Sequence, residues 1–246
     1  RLTGLILGSI FVFFVWLFDD IFEFKWLVQA VAQVVSALIA VSFLIFIQFF
    51  NNPLTGQQTD PWAFWVTVIL TTFWIGLMMN TVNFLDGLDG LAGGVAVIAG
   101  LMLFANSAFF VSPAQTSVAI LPLAMTGACL GFLIYNFHPA KIYLGGGAPL
   151  LGFWLATLSI IGGAKMATIL LVMGLPLMDS AWQIFSRLLR GENPMRGDRG
   201  HLHFRLLDTG ILSHRQIVIF YYLFCAFFGV LTLLLESQLF KFVAFG

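Results

Sequence analysis

Charge is scarce in this chain: Asp, Glu, Lys and Arg make up 9% of its 246 residues, against about 25% in an ordinary soluble domain. That scarcity excludes a surface built to face water. With 60% hydrophobic residues and a mean hydropathy of +1.00, the chain reads as an integral membrane protein. Cysteine is nearly absent as well. Cys129 and Cys225 each lie alone within an apolar run, which excludes metal-thiolate spacing and a disulfide framework and leaves two buried thiols. Net charge is zero, so the charge balance points to no nucleic-acid partner. There is no internal repeat, low-complexity tract or linker, and residues 1–246 are expected to form a single integral-membrane domain.

What the chain has in abundance is long apolar runs. Segments of roughly 18 or more apolar residues are read as membrane spans, and eight are expected, at about 2–18, 27–49, 62–82, 91–111, 118–136, 147–163, 166–184 and 216–236. The fold class is therefore all-α, a polytopic membrane helical bundle of about eight transmembrane helices. The first run lacks the small-residue cleavage site of a signal peptide. Because the chain begins at Arg1, one or more upstream spans are expected to be missing.

The few polar residues are placed unevenly. Threading eight spans from an outside N-terminus puts the loops 19–26, 83–90, 137–146 and 185–215 on the cytoplasmic side. Those loops hold Lys25, Lys141, Arg187, Arg190, Arg196, Arg199, Arg205 and Arg215, eight of the eleven basic residues, as the positive-inside tendency expects. All four histidines and most acids gather there too, which that tendency does not require. A cytoplasmic active face explains the clustering.

Four segments of that face could carry chemistry. Asn80, Asn83, Asp86 and Asp89 recur at every third position up to Gly94, a spacing that lets neighbours share a helix face. Carboxylates beside an apolar span are costly in lipid and so usually face a cavity. The adjacent acids Asp19 and Asp20 repel one another unless a cation lies near, and magnesium is the natural partner where phosphates are also bound. In the basic loop, His201 and His203 alternate between Arg199 and Arg205, a set that could hold a diphosphate through charge-assisted hydrogen bonds; a polybasic contact to anionic lipid explains the arginines alone. Finally, Tyr143 precedes Gly145, Gly146 and Gly147. That pattern suits a stacked base beside a backbone that approaches a phosphate, and equally a flexible loop.

In their order along the chain, Asp19-Asp20, Asn80 to Gly94, Asn136-Phe-His-Pro-Ala-Lys-Ile142, Pro176-Leu-Met-Asp179 and Asp198 to Leu206 resemble the polyprenyl-phosphate N-acetylhexosamine-1-phosphate transferases (glycosyltransferase family 4). The likeness is to the bacterial branch that primes surface polysaccharides such as O-antigen and wall teichoic acid. It implies a bundle of ten or eleven spans with a cytoplasmic site in the bacterial plasma membrane. It also implies transfer of a sugar 1-phosphate, by expectation GlcNAc-1-phosphate, from a UDP-sugar to undecaprenyl phosphate, releasing UMP with Mg²⁺, or Mn²⁺ in its place. By the same resemblance Asp19, Asp20, Asp86 and Asp89 are the catalytic acids, with Asp19 and Asp20 serving the metal. Asn80, Asn83, Gly87, Leu88, Asn136, Lys141, Tyr143, Arg199, His201, His203 and Arg205 line the substrates. A homodimer is compatible with it.

Two positions depart from the family pattern. Gly146 stands where the family carries a third metal-binding Asp, and Phe204 replaces the last histidine of a His-x-His-His run. Losing an anionic ligand weakens a magnesium site, so a catalytically impaired relative that binds a UDP-sugar or a partner competes with an active transferase, and Gly146→Asp is expected to raise the rate. An unrelated transporter would carry its ionisable residues near the middle of its spans; here they lie at one end. The muramoyl-pentapeptide branch fits less well, since its consecutive histidines are absent from 198–206.

Overall fold

The computed structural model describes residues 1–49, 57–111, 113–162, 165–191 and 200–234, and Arg196, Asp198 and Arg199 therefore lie outside the described residues. Those residues form helices and no extended sheet. In order they are α1 (Leu2–Phe22), α2 (Trp26–Ser42), α3 (Phe64–Leu85), α4 (Leu91–Ala105, continued by a π-turn at Asn106–Phe110), α5 (Thr116–Asn136), α6 (Gly147–Ile161), α7 (Met166–Val172), α8 (Gly174–Leu189), α9 (Leu202–Asp208) and α10 (His214–Leu234). A helix satisfies its own backbone polar groups, the condition for crossing hydrocarbon. Large apolar side chains such as Phe14, Phe73, Phe109, Ile134 and Phe227 are exposed on the outside of the bundle, as a lipid-facing surface requires. This is a polytopic membrane protein.

The count of eight spans is not reproduced. Among the described residues five helices are long and apolar enough to cross, namely α1, α3, α4 with its π-turn, α5 and α10, and a sixth crossing is reached if α7 and α8, bent by 76°, are one broken span. The run at 27–49 falls short because α2 stops at Ser42 and Leu44 takes a left-handed φ of 62°. Beyond it the Ile47 N–H donates to Thr71 Oγ1 of α3 at 2.9 Å. The run at 147–163 gives only the 15 residues of α6, about 22 Å at 1.5 Å per residue against a hydrocarbon core of about 30 Å.

α3, α4 and α6 form the core. α6 packs on α3, α4 on α5 and α10, and α1 on α2 and α6, burying Trp74, Met78, Met79, Leu91, Phe153 and Leu155. Small residues allow the close approaches: a Cβ on Gly152 would meet the backbone of Met79, as expected where helices pack without a hydrophobic drive to associate. At one end of the bundle, Arg1 donates to Ile161 O at 3.4 Å, and the buried Lys165 ammonium bonds Ser107 and Gln115. The loops after α1, α3 and α5 meet at the other end.

Candidate active site

The two adjacent acids at the end of α1 do different things. Successive helix residues point about 100° apart, and the structure sends Asp19 toward α2. There both its oxygens accept from Gln29 Nε2 (3.1 and 3.0 Å), and one also accepts from the Phe24 N–H at 2.9 Å. Asp20 is exposed and turns across the bundle, where its Oδ2 accepts the Gly146 N–H at 3.0 Å.

Asp86 caps the end of α3 and accepts from the Gly145 backbone. Two successive N–H groups of the glycine segment thus hold Asp20 and Asp86 beside each other. Burial pushes the Asp86 carboxyl up to about 7, opposed by the Gly145 hydrogen bond and reinforced by the negative charges of Asp89 and Asp20. A cation placed beside such a carboxyl would favour its charged form.

Asp89 sits in the turn between α3 and α4 and is tied down. Its Oδ2 accepts from the His138 ring at 2.8 Å and the Ala140 N–H at 3.1 Å. Burial raises its carboxyl, but these hydrogen bonds and the neighbouring His214 and His138 outweigh that and hold it below the usual carboxylate range. His214 Nε2 meets the Asp89 carbonyl at 3.3 Å, and its ring stacks on His138 with centroids 4.0 Å apart. The next residue, Gly90, has φ 83°, a left-handed conformation that favours glycine. Its N–H donates to Asn136 Oδ1 at 3.0 Å, and its carbonyl accepts from the Tyr222 hydroxyl.

The histidines of α9 close the site from the far side. His201 and His203 are buried, with rings stacked 5.8 Å apart. His201 packs on Phe84 of α3 at 4.8 Å, and the rings of His203 and Phe204 lie against Gly87. Asp179 of α8 holds His201 from behind, Oδ2 to Nδ1 at 2.9 Å, while its Oδ1 accepts the Leu202 N–H at 2.9 Å. Beside the α1 acids, a cavity of about 210 Å³ opens between α2 and α3, lined by Trp26, Gln29, Ala30, Gln33, Asn80, Asn83 and Phe84. Asn80 and Gln33 exchange amide hydrogen bonds of 2.8 and 3.0 Å there.

Contacts therefore run continuously from Asp19 and Asp20 through Gly145 and Gly146 to Asp86 and Asp89, and from Phe84 and Gly87 to His201 and His203. Asn83 is exposed at the cavity, and Lys141, Tyr143 and Arg205 are exposed. Arg199 lies outside the described residues. Two expected substrate residues do other work: the Leu88 side chain is buried in the core, and the Asn136 amide is spent bracing backbone, receiving the Gly90 N–H and donating to Ile142 O at 2.9 Å. Sequence reasoning gave no site role to Gln33, His138, Asp179, His214 or Tyr222, although His138 and Asp179 lie in the motifs that carry the resemblance. The repeat of Gln29 and Gln33 at i, i+4 within an apolar helix was the readable sign for the first of these. The rest depend on contacts more than 20 residues apart.

Fold and site together define a multi-pass membrane protein with an acid, glycine and histidine centre at one end of its bundle. The chain belongs to glycosyl transferase family 4, whose family model matches residues 2–163. It is 33% identical over 244 residues to a Bacillus subtilis protein described as a probable undecaprenyl-phosphate N-acetylglucosaminyl 1-phosphate transferase, covering 96% of this chain and 66% of that one. It is 32% identical over 230 residues to the decaprenyl-phosphate N-acetylglucosaminephosphotransferase of Mycolicibacterium smegmatis, covering 84% of this chain and 56% of that one. A phospho-N-acetylmuramoyl-pentapeptide-transferase of Listeria monocytogenes is 39% identical over a shorter 138 residues, 56% of this chain and 41% of its own. The chain thus spans less than two thirds of the length of each of these relatives.

Proposed function

We propose that this chain transfers a sugar 1-phosphate, GlcNAc-1-phosphate by the kinship of its longest matches, from a UDP-sugar to a polyprenyl phosphate such as undecaprenyl phosphate, releasing UMP. The reaction takes place at the cytoplasmic face of a bacterial plasma membrane, as the first membrane step toward a surface polysaccharide. The observation that carries this reading is the meeting of Asp20 and Asp86 on the N–H groups of Gly145 and Gly146, at the polar end of a membrane bundle.

The donor set fits a hard divalent cation. Asp20 and Asp86 offer carboxylate oxygens side by side, burial and like charge leave Asp86 short of a counter-charge, and both free cysteines are buried. Mg²⁺, or Mn²⁺, would be held by Asp20 and Asp86, where it supplies neutralisation of the diphosphate's negative charge. Asp19 is occupied by Gln29 and Phe24, so it positions the end of α1 and its neighbour Asp20. Asp89 pins the turn that presents Asp86. His203 and Arg205, and His201 when its ring is charged, supply donors for phosphate oxygens, and the exposed ring of Tyr143 offers a face for uracil. Positioning and charge compensation by these groups account for most of what phosphoryl transfer needs from a protein.

The test is UMP release by purified protein given Mg²⁺, UDP-GlcNAc and undecaprenyl phosphate, with Asp20→Asn as the control expected to lose the activity. Absence of UMP from the wild-type chain, with UDP-GlcNAc still bound, supports instead the second reading, a binding protein of the same family; the glycine at 146 is the observation that favours it.

A further inference from the structure

Asp179 has no role in the chemistry assigned above, yet both of its oxygens are committed to the entry of α9. Oδ2 meets His201 Nδ1 and Oδ1 accepts the Leu202 N–H, each at 2.9 Å. One turn further along α8, Gln183 bonds the Gly200 carbonyl. Asp179 and Gln183, at i, i+4, lie on one face of α8, and that face grips residues 200–202.

An ionised carboxylate only accepts hydrogen bonds. His201 must then carry its proton on Nδ1, and the neutral ring presents a bare lone pair at Nε2. That Nε2 is fully buried with no hydrogen-bond partner among the described residues, and the ring is wedged between Phe84 and His203. A buried polar nitrogen without a partner is destabilising, so an arrangement that fixes one is expected to be offset by function. We propose that Asp179 is a positioning residue: it selects the Nδ1–H tautomer of His201 and aims Nε2 at the substrate diphosphate. The nitrogen accepts a proton or hydrogen bond when the ring is neutral and donates when the ring is charged.

This inference rests on the function proposed above, and Asp179→Asn tests it apart from that function. Asn keeps the shape of Asp and an Oδ1 that still accepts the Leu202 N–H, but it turns an NH₂ toward His201 and reverses the preferred tautomer. The expected result is a melting temperature close to wild type, a kcat for UMP release lowered on the order of 10- to 100-fold, a nearly unchanged KM for UDP-GlcNAc, and a displaced acid limb of the pH–rate profile. Nitrogen NMR of ¹⁵N-histidine-labelled protein, with His201→Asn to identify the signal, should show Nδ1–H in the wild type and Nε2–H in Asp179→Asn. Wild-type kcat and pH profile in Asp179→Asn, or an Nε2–H signal in the wild type, overturns the proposal. If the wild type releases no UMP the transferase reading fails, and the NMR comparison alone decides for or against the tautomer assignment.

Discussion

Restoring the carboxylate that relatives of this type are expected to carry at position 146 should harm the protein rather than improve it, contrary to the expectation from sequence. Gly146 adopts an ordinary right-handed conformation, φ −58° and ψ −9°, so the backbone itself would accept a side chain. Space is what it lacks. A Cβ built there lies 2.8 Å from Trp16 Cβ, 2.8 Å from Trp16 O and 2.9 Å from Trp16 C. Two of those three atoms are main chain in the interior of α1, which can move only as a helix. Overpacking of this kind costs about 1–3 kcal/mol. A shift of α1 also stretches the 3.0 Å bond from the Gly146 N–H to Asp20, and a hydrogen bond to a charged group is worth about 1.5–3 kcal/mol. The assay compares wild type, Gly146→Ala and Gly146→Asp in detergent, by thermal unfolding and by UMP release. Alanine brings the same Cβ without the charge, so both variants should melt lower by a similar amount, and neither should release UMP faster than wild type. Faster release by Gly146→Asp at an unchanged melting temperature would refute the steric reasoning and return the position to the metal.

Three further outcomes are expected. Burial lifts the Asp86 carboxyl of the metal-free protein to about 7 and a bound cation lowers it, so Mg²⁺ binding should weaken as pH falls through that value, and Asp86→Asn should abolish this pH dependence together with most of the UMP release. The sign for stability is opposite: because the folded-state value is raised, the neutral form favours folding, and that contribution, complete below the unfolded value of 3.8, disappears as pH rises through about 7. Gln33→Leu strips Asn80 of its reciprocal partner and should cost about 1–3 kcal/mol, seen as a lower melting temperature. Lys165→Met removes the buried ammonium at the opposite end from Ser107 and Gln115; its expected signature is altered thermal stability with unchanged UMP release per folded molecule, and a several-fold fall in that rate would contradict the separation of the two ends.

Much of the architecture was legible because the signals were local. Apolar length marked α1, α3, α4, α5 and α10, and the one-sided polar residues marked the end where the loops meet. The count of eight was not confirmed where a local property was overridden. At 166–184 the hydropathy is continuous, and nothing in it announces the 76° break at Met173. At 27–49 the run is apolar throughout, yet the helix ends at Ser42: the N–H groups of Phe43, Leu44 and Ile45 turn back onto the Ala40 and Val41 carbonyls, and the Ile47 N–H then bonds Thr71 of α3. Hydropathy measures the preference for lipid over water, not the choice between helix and another way of pairing the same N–H groups.

The site divides along the same line. Types and spacing identified the acids, the glycines and the histidines, because phosphate and metal chemistry draws on few kinds of residue. They could not say which acid faces which partner. Asp19 and Asp20 read as equivalent in sequence, and the helix separates them, one to the Gln29 amide and the other to Gly146. Asp86 and Asp89 likewise part, one beside Asp20 and the other bound to His138 and Ala140. The same geometry gives Gly146 a meaning that its side chain alone conceals. Read as a missing carboxylate it is a loss; read as an N–H that holds Asp20 against Asp86, with α1 closed onto it through Trp16, it is part of what assembles the acid pair. In the structure the pair that could hold a cation comes from α1 and α3, and the glycine segment between α5 and α6 brings the two acids together.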